Sequence, residues 1–229
     1  MASTYLGAFY RNNDVSALPR RSASGSILKR IFDLTCASAL IVALLPLFVL
    51  IALSVAVLGR GNPIFAHKRI GRNGRAFYCL KFRTMVVNAE GVLKRILSED
   101  PKLAREWEVS RKLRHDPRII PVIGHLLRRS SLDELPQLFN VILGDMSLVG
   151  PRPIVADELK KYGPGEALYL AVRPGLTGPW QIGSRSDDTY ENRVKLDINY
   201  VQNLSLIGDI TILAKTAKIV ASGRAPGAY

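Results

Sequence analysis

LTCASALIVALLPLFVLIALSVAVL, from Leu34 to Leu58, is the stretch on which the fold turns: 25 residues without a charge. As a straight helix it extends roughly 37 Å, against about 30 Å for the hydrocarbon core of a bilayer. Length alone describes a transmembrane helix. Pro46 sits at its middle, where a proline removes a backbone hydrogen bond and kinks a helix. Both flanks are basic, with Lys29 and Arg30 before the run and Arg60, Lys68, Arg69, Arg72 and Arg75 after it. Lys and Arg accumulate on the cytoplasmic side, and one spanning helix cannot place both flanks there. A kinked helix that enters and leaves by the same leaflet can. The residues themselves leave the spanning and re-entrant forms both open; a buried soluble helix suits this length and purity less well.

Outward from this run the chain is ordinary in apolar content, 48%, but strongly basic, with 32 Lys and Arg against 19 Asp and Glu in 229 residues. A net charge of +13 predicts a polyanionic neighbour: nucleic acid, anionic headgroups or a phosphorylated substrate. Cys36 and Cys79 form no CxxC or disulfide framework, which points to a reducing compartment, and His67, His115 and His125 have no metal-ligand spacing with them. Residues 1–26 are polar and aperiodic and read as a disordered tail.

After the run, strand-like pieces from Ile64 to Ala66 and from Ala76 to Thr84 flank a Gly71-Arg72-Asn73-Gly74 turn. Alternation puts Tyr78, Leu80 and Phe82 on one face of the second piece, and Lys81 and Arg83 on the other. From Met85 to about Arg114 the pattern is helical and amphipathic, broken at Asp100-Pro101, where Asp100 suits a cap and Pro101 a first helical position. A short helix follows over Glu166 to Val172, and helix-spaced apolar residues run from about Asp187 to Ser222. The fold class is α+β, mainly helical. The predicted division is a tail (1–26), a membrane helix (27–59) and a compact catalytic part with surface helices (60–229).

The chemistry concentrates in Ser130-Ser131-Leu132-Asp133-Glu134-Leu135-Pro136-Gln137, just behind Arg128 and Arg129. Ser131-x-x-Glu134 matches a capping box. In that reading the two carboxylates serve a helix terminus and nothing more. The same terminus also favours a carboxylate anion and attracts phosphate, and an ionised Asp can attack phosphorus. An adjacent Glu can bind magnesium or move protons, and Arg128 and Arg152 can make bidentate contacts to phosphoryl oxygens.

Several motifs follow one another in order: Lys29-Arg30-Ile31-Phe32-Asp33, the proline-broken run, Lys81-Phe82-Arg83-Thr84-Met85, Ser131 to Gln137, Gly144 to Pro153 (GDMSLVGPRP), and Arg173-Pro174-Gly175-Leu176-Thr177-Gly178. Together, over about residues 27 to 222, they resemble the monotopic phosphoglycosyl transferases, bacterial enzymes that load a sugar phosphate onto polyprenyl phosphate. The likeness is greatest to the short galactosyl-1-phosphate transferases of exopolysaccharide synthesis.

This resemblance implies a re-entrant helix bent at Pro46 in the inner leaflet, with Lys29 and Arg30 at the headgroups. It implies Asp133 as nucleophile on a UDP-hexose, UMP as leaving group and polyprenyl phosphate as acceptor. Glu134 would assist, with Mg2+ held by Asp133 and Glu134. Arg128 and Arg152 would hold phosphates, with Pro151, Lys81 and Arg83 lining the same pocket. The place would be the cytoplasmic face of a bacterial inner membrane. Two departures from the pattern stand out: Leu45 precedes the bend proline where some relatives have Ser, and Gly183-Ser184-Arg185 replaces a common Ser-Gly-Arg. The rival reading is a non-enzymatic, membrane-tethered basic protein on anionic lipid or nucleic acid. No helix-turn-helix, zinc-finger or RNA-binding motif supports its nucleic-acid form.

Overall fold

A computed structural model describes residues 27–110, 113–183 and 189–222, without the side chains of Val109 and Ser110. The N-terminal tail and Ser184-Arg185 lie outside the described residues. The elements in order are α1 (Ile27–Gly59), β1 (Ile64–Ile70), β2 (Ala76–Phe82), α2 (Ala89–Glu99), α3 (Pro101–Ser110), α4 (Ile123–Ser130), a 3-10 turn (Leu132–Glu134), α5 (Gln137–Leu143), β3 (Ser147–Val149), α6 (Ala156–Leu159), α7 (Glu166–Ala171), β4 (Gly175–Thr177), α8 (Pro179–Ile182), α9 (Tyr190–Gln202) and α10 (Leu206–Ala221). Helices dominate, with an antiparallel hairpin β1–β2 and a parallel pair β3–β4.

The hairpin turns where Asn73 (φ 58°) and Gly74 (φ 74°) take left-handed backbone, which these two residue types tolerate. Its burial differs from the simple alternation. Phe77 and Cys79 are buried while Tyr78 is exposed, and Phe82 then turns inward, against the Phe48 ring of α1 at 5.7 Å. The α2–α3 junction forms as the sequence predicts, with Asp100 Oδ1 accepting from the Lys102 and Leu103 amides. The pair β3–β4 follows from no periodicity in the chain. It depends on Gly150 and Gly175 meeting backbone to backbone, since a Cβ on Gly150 would stand 2.6 Å from the Arg173 carbonyl oxygen.

α1 runs as one helix through Pro46 and is roughly 50 Å long if straight. It is long and apolar enough to cross a bilayer, and Val42, Leu50, Leu53 and Val57 face outward. Yet Ala37, Phe48, Ile51 and Val55 belong to the same core as Leu127, Val141 and Leu148. The change of composition at residue 59 is therefore no boundary between cores.

Lys29 and Arg30, expected at the headgroups, both make contacts within the protein. Lys29, 5% exposed, donates to Asp209 Oδ2 at 2.6 Å and to the Val149 carbonyl at 3.3 Å. Arg30 donates to the Val141 and Ile142 carbonyls at the end of α5, orphan acceptors that a helix C-terminus always presents. Asp33 accepts from Ser147 Oγ and the Leu148 amide. The first two turns of α1 are thus bolted to β3, α5 and α10. In α9 the buried face is not purely apolar; it carries Arg193 and Asp197 beside Val194, Ile198, Tyr200 and Val201.

Lys29→Met leaves Asp209 as an uncompensated buried charge and is expected to cost about 3–5 kcal/mol. Thermal or denaturant unfolding in detergent reads this directly. A loss below about 1 kcal/mol, the worth of an exposed pair, would contradict the buried assignment.

Candidate active site

The site forms where β2, the 3-10 turn and the loop after β3 converge. Ser131 closes α4 with a left-handed residue (φ 59°), a common way to stop a helix. The chain then makes a single 3-10 turn, with the Glu134 amide donating to the Ser131 carbonyl and the Leu135 amide to the Leu132 carbonyl. Leu132 and Leu135 pack on the core, which leaves Asp133 and Glu134 side by side. Pro136 then leads into α5. The capping box does not form: Ser131 makes no side-chain cap. Neither carboxylate is committed to holding a helix terminus in the way the capping pattern predicts.

Lys81 shares a strand face with buried Phe77 and Cys79, so its amine is directed inward. Its Nζ lies 2.6 Å from Glu134 Oε1 and 3.7 Å from Asp133 Oδ2. Arg152 Nη1 approaches the same Glu134 oxygen at 3.6 Å. Arg128, on the last turn of α4, donates through Nε to Thr84 Oγ1 at 2.9 Å, close enough for its charge to act on Asp133. The Asp133 side chain is only 14% exposed. Its burial, reinforced by Glu134, raises its pKa above the ordinary carboxylate value; Lys81, Arg128 and its own backbone N–H pull the other way. Three cations surround two carboxylates. The surplus suits further negative charge arriving as phosphate.

Of the residues singled out in the sequence, Asp133, Glu134, Lys81, Arg128 and Arg152 come together. Arg83 does not. It donates to the Asn62 carbonyl at 2.7 Å and lies over Phe65, tethering the start of β1. Pro151 is buried, and its carbonyl accepts from the Gly175 amide at 2.8 Å, which fixes the backbone next to Arg152. Pro46 is exposed on α1.

Other residues matter that motif reading missed. Asn140 pairs its side-chain amide with the Tyr78 carbonyl and the Leu80 amide, completing the free edge of β2 as another strand would and setting the height of Lys81. Thr84 aims Arg128. Trp180 lies 5.6 Å from the Arg152 guanidinium carbon. Thr84 at least stood inside a quoted motif; Asn140 carries no local signal.

For a metal, Asp133 and Glu134 offer two adjacent carboxylates, and the described residues contain no cluster of three or more His, Cys, Asp or Glu. Two carboxylates fit Mg2+, which keeps water and substrate phosphate as its remaining ligands, although Lys81 already bonds one oxygen of Glu134.

Known proteins resemble this chain over most of its length. A protein of Salmonella typhimurium named undecaprenyl-phosphate galactose phosphotransferase is 50% identical over 206 residues, covering 90% of this chain and 42% of that protein. The exopolysaccharide production protein ExoY of Sinorhizobium fredii is 48% identical over 205 residues, covering 90% and 89%. The undecaprenyl-phosphate glucose phosphotransferase of Komagataeibacter xylinus is 40% identical over 218 residues, covering 89% and 38%. The chain thus spans about two fifths of the Salmonella and Komagataeibacter proteins and most of ExoY. The bacterial sugar transferase family model matches residues 24–223, and the chain belongs to that family of enzymes.

Proposed function

We propose that this enzyme transfers a hexose 1-phosphate, galactose 1-phosphate first among the candidates, from a UDP-hexose to polyprenyl phosphate at the cytoplasmic face of a bacterial inner membrane, as an opening step of exopolysaccharide synthesis. The observation that carries the reading is Asp133 itself: a desolvated carboxylate between Lys81 and Arg128, one residue from a glutamate that contacts Lys81 and Arg152. A carboxylate stripped of water is a better nucleophile than a hydrated one, and the cations keep it ionised. The non-enzymatic rival has no use for this grouping and falls with the family assignment.

In the first step an Asp133 oxygen bonds to the sugar-bearing phosphorus. The bridging P–O bond breaks and UMP leaves with the electron pair. Arg152 and Arg128 neutralise charge that builds on the phosphoryl oxygens. Mg2+ held by Asp133 and Glu134 would supply further neutralisation of the diphosphate when bound. In the second step an oxygen of polyprenyl phosphate bonds to the same phosphorus, the Asp133 O–P bond breaks and the carboxylate is regenerated. Glu134 and Lys81, 2.6 Å apart, are placed to hold or pass a proton as charge shifts between donor and acceptor.

The membrane part of the reading is a shallow, re-entrant α1. Its support is where the helix is occupied by protein. Lys29 to Ala37 and Phe48 to Val55 carry buried positions at both ends, and the interval between Ala37 and Phe48 still has Ile41, Leu44 and Leu47 packed on the core. The opposite face stays apolar and outward, at Val42, Leu50, Leu53 and Val57, so α1 packs one side on protein and offers the other to lipid, as a helix lying within one leaflet does. Pro46 falls in the interval from Ala37 to Phe48 and is where a bend costs least. The names of the relatives, with undecaprenyl phosphate and galactose in the Salmonella protein, support the acceptor and the sugar.

Asp133→Asn is expected to abolish UMP release from UDP-galactose in membranes supplied with Mg2+ and polyprenyl phosphate; release at the wild-type rate would refute the nucleophile. The ionised Asp133 is the active form and its pKa is raised, so activity falls with acidification from a pH above the ordinary carboxylate range. Lys81→Met removes an influence that lowers this pKa, and the acid limb of the pH–rate profile should move to higher pH; a shift to lower pH would contradict the assigned role. Tags at both termini should be protected from external protease in intact spheroplasts, whereas exposure of one tag would mean a crossing helix.

A further inference from the structure

Trp180 lies within cation–π range of two guanidiniums, with Arg193 Cζ 5.0 Å and Arg152 Cζ 5.6 Å from its ring centroid. The two arginines are held differently. Arg193 is 7% exposed and also lies 5.2 Å from the Tyr190 ring centroid. Its Nη1 reaches Glu158 Oε2 at 3.4 Å and its Nε stands 3.9 Å from Asp197 Oδ2. Nε and Nη2 make no hydrogen bond among the described residues. Aromatic faces and two nearby carboxylates therefore keep this buried cation in place, and Trp180 is packed against a fixed support. Arg152 is one-third exposed, and its Nη1 is 3.6 Å from Glu134 Oε1, beyond hydrogen-bond distance. Its guanidinium stands between an indole and an anion without closing on the anion.

We propose that Trp180, backed by Arg193, is a positioning residue that holds the Arg152 fork off Glu134 and so keeps it open to the phosphate oxygens of a nucleoside-diphosphate sugar. The inference rests on the transferase reading above and names what selects the donor phosphates within it. The physical reason is a competition for one cation. An unrestrained arginine beside a carboxylate closes to a bidentate pair at about 2.7–2.9 Å, and a guanidinium so paired has few N–H groups left for phosphate. The indole offers the guanidinium a second resting place that leaves its edge N–H groups unused. Removing the ring lets Arg152 close on Glu134, after which the donor must displace a carboxylate in order to bind.

The test is a double-mutant cycle on the full-length protein in native membranes, with UDP-galactose and polyprenyl phosphate, scored by UMP release. Trp180→Leu should raise the donor KM roughly 3- to 30-fold, with a smaller effect on kcat, and Trp180→Phe should recover most of the loss because a π face remains. In an Arg152→Ala background, Trp180→Leu should add less than about twofold. An equal KM penalty in both backgrounds, or a fall in kcat at unchanged KM, would overturn the proposal. The same cycle read as affinity for UDP, by calorimetry in detergent, separates this inference from the one beneath it. Coupling between Trp180 and Arg152 with no UMP release from the wild type would support the positioning role and sink the transferase reading. UMP release without coupling would sink the positioning role alone.

Discussion

A lysine amine taken out of water must find an anion, and in this protein Lys29 finds Asp209. The pair joins residue 29 to residue 209 at 2.6 Å, with Tyr200 donating to the other Asp209 oxygen at 2.8 Å and its hydroxyl oxygen 3.0 Å from the Val149 carbonyl. Desolvation makes such a pair costly to form and costlier to break on one side. Its value here is register. It sets the start of the apolar helix against β3, and β3 runs directly into the Gly150-Pro151-Arg152 loop. With Asp33 bonded to the same strand, the lipid-facing element and the guanidinium of the site share one short piece of backbone.

The site obeys the same rule with the balance tipped. Asp133 is nearly buried, yet the charges around it do not cancel: Lys81, Arg128 and Arg152 outnumber two carboxylates. A structural ion network tends toward neutrality, because every unpaired buried charge is a penalty. A site kept one cation in excess is incomplete until an anion arrives. The parallel pair β3–β4 supplies the rigidity this needs. Gly150 and Gly175 meet too closely for a side chain, and the Pro151 and Thr177 carbonyls lock the two loops together.

Much of this was legible along the chain. The apolar run, the hairpin turn and the Asp100 cap are local patterns, and the helix, turn and cap appear where they predict; the adjacent carboxylates were read at a helix start and stand on a 3-10 turn instead. The capping box was legible and did not form, because Ser131 was needed to end the preceding helix and Pro136 shortened what followed. Arg83 looked like a partner of Lys81 by alternation. The strand ends between them, and beyond its last pair the side chain turned back to the Asn62 carbonyl. Lys29 and Arg30 carry no sign along the chain of the acceptors they reach, Asp209 and the end of α5.

By itself, the sequence determined the long helix, the hairpin with its turn and the helix start at Asp100, that one helix is too apolar for water, and that acid and base gather around residue 133. Those properties depend on neighbours within about four positions, where propensity, periodicity and charge act. Only the tertiary structure decided which charges are buried and with whom: Lys29 with Asp209, Arg30 on the end of α5, Arg152 between Trp180 and Glu134, Asn140 at the edge of β2. Those contacts link residues tens to nearly two hundred positions apart, and the energy that selects them is desolvation, which exists only once the chain has closed around the groups concerned.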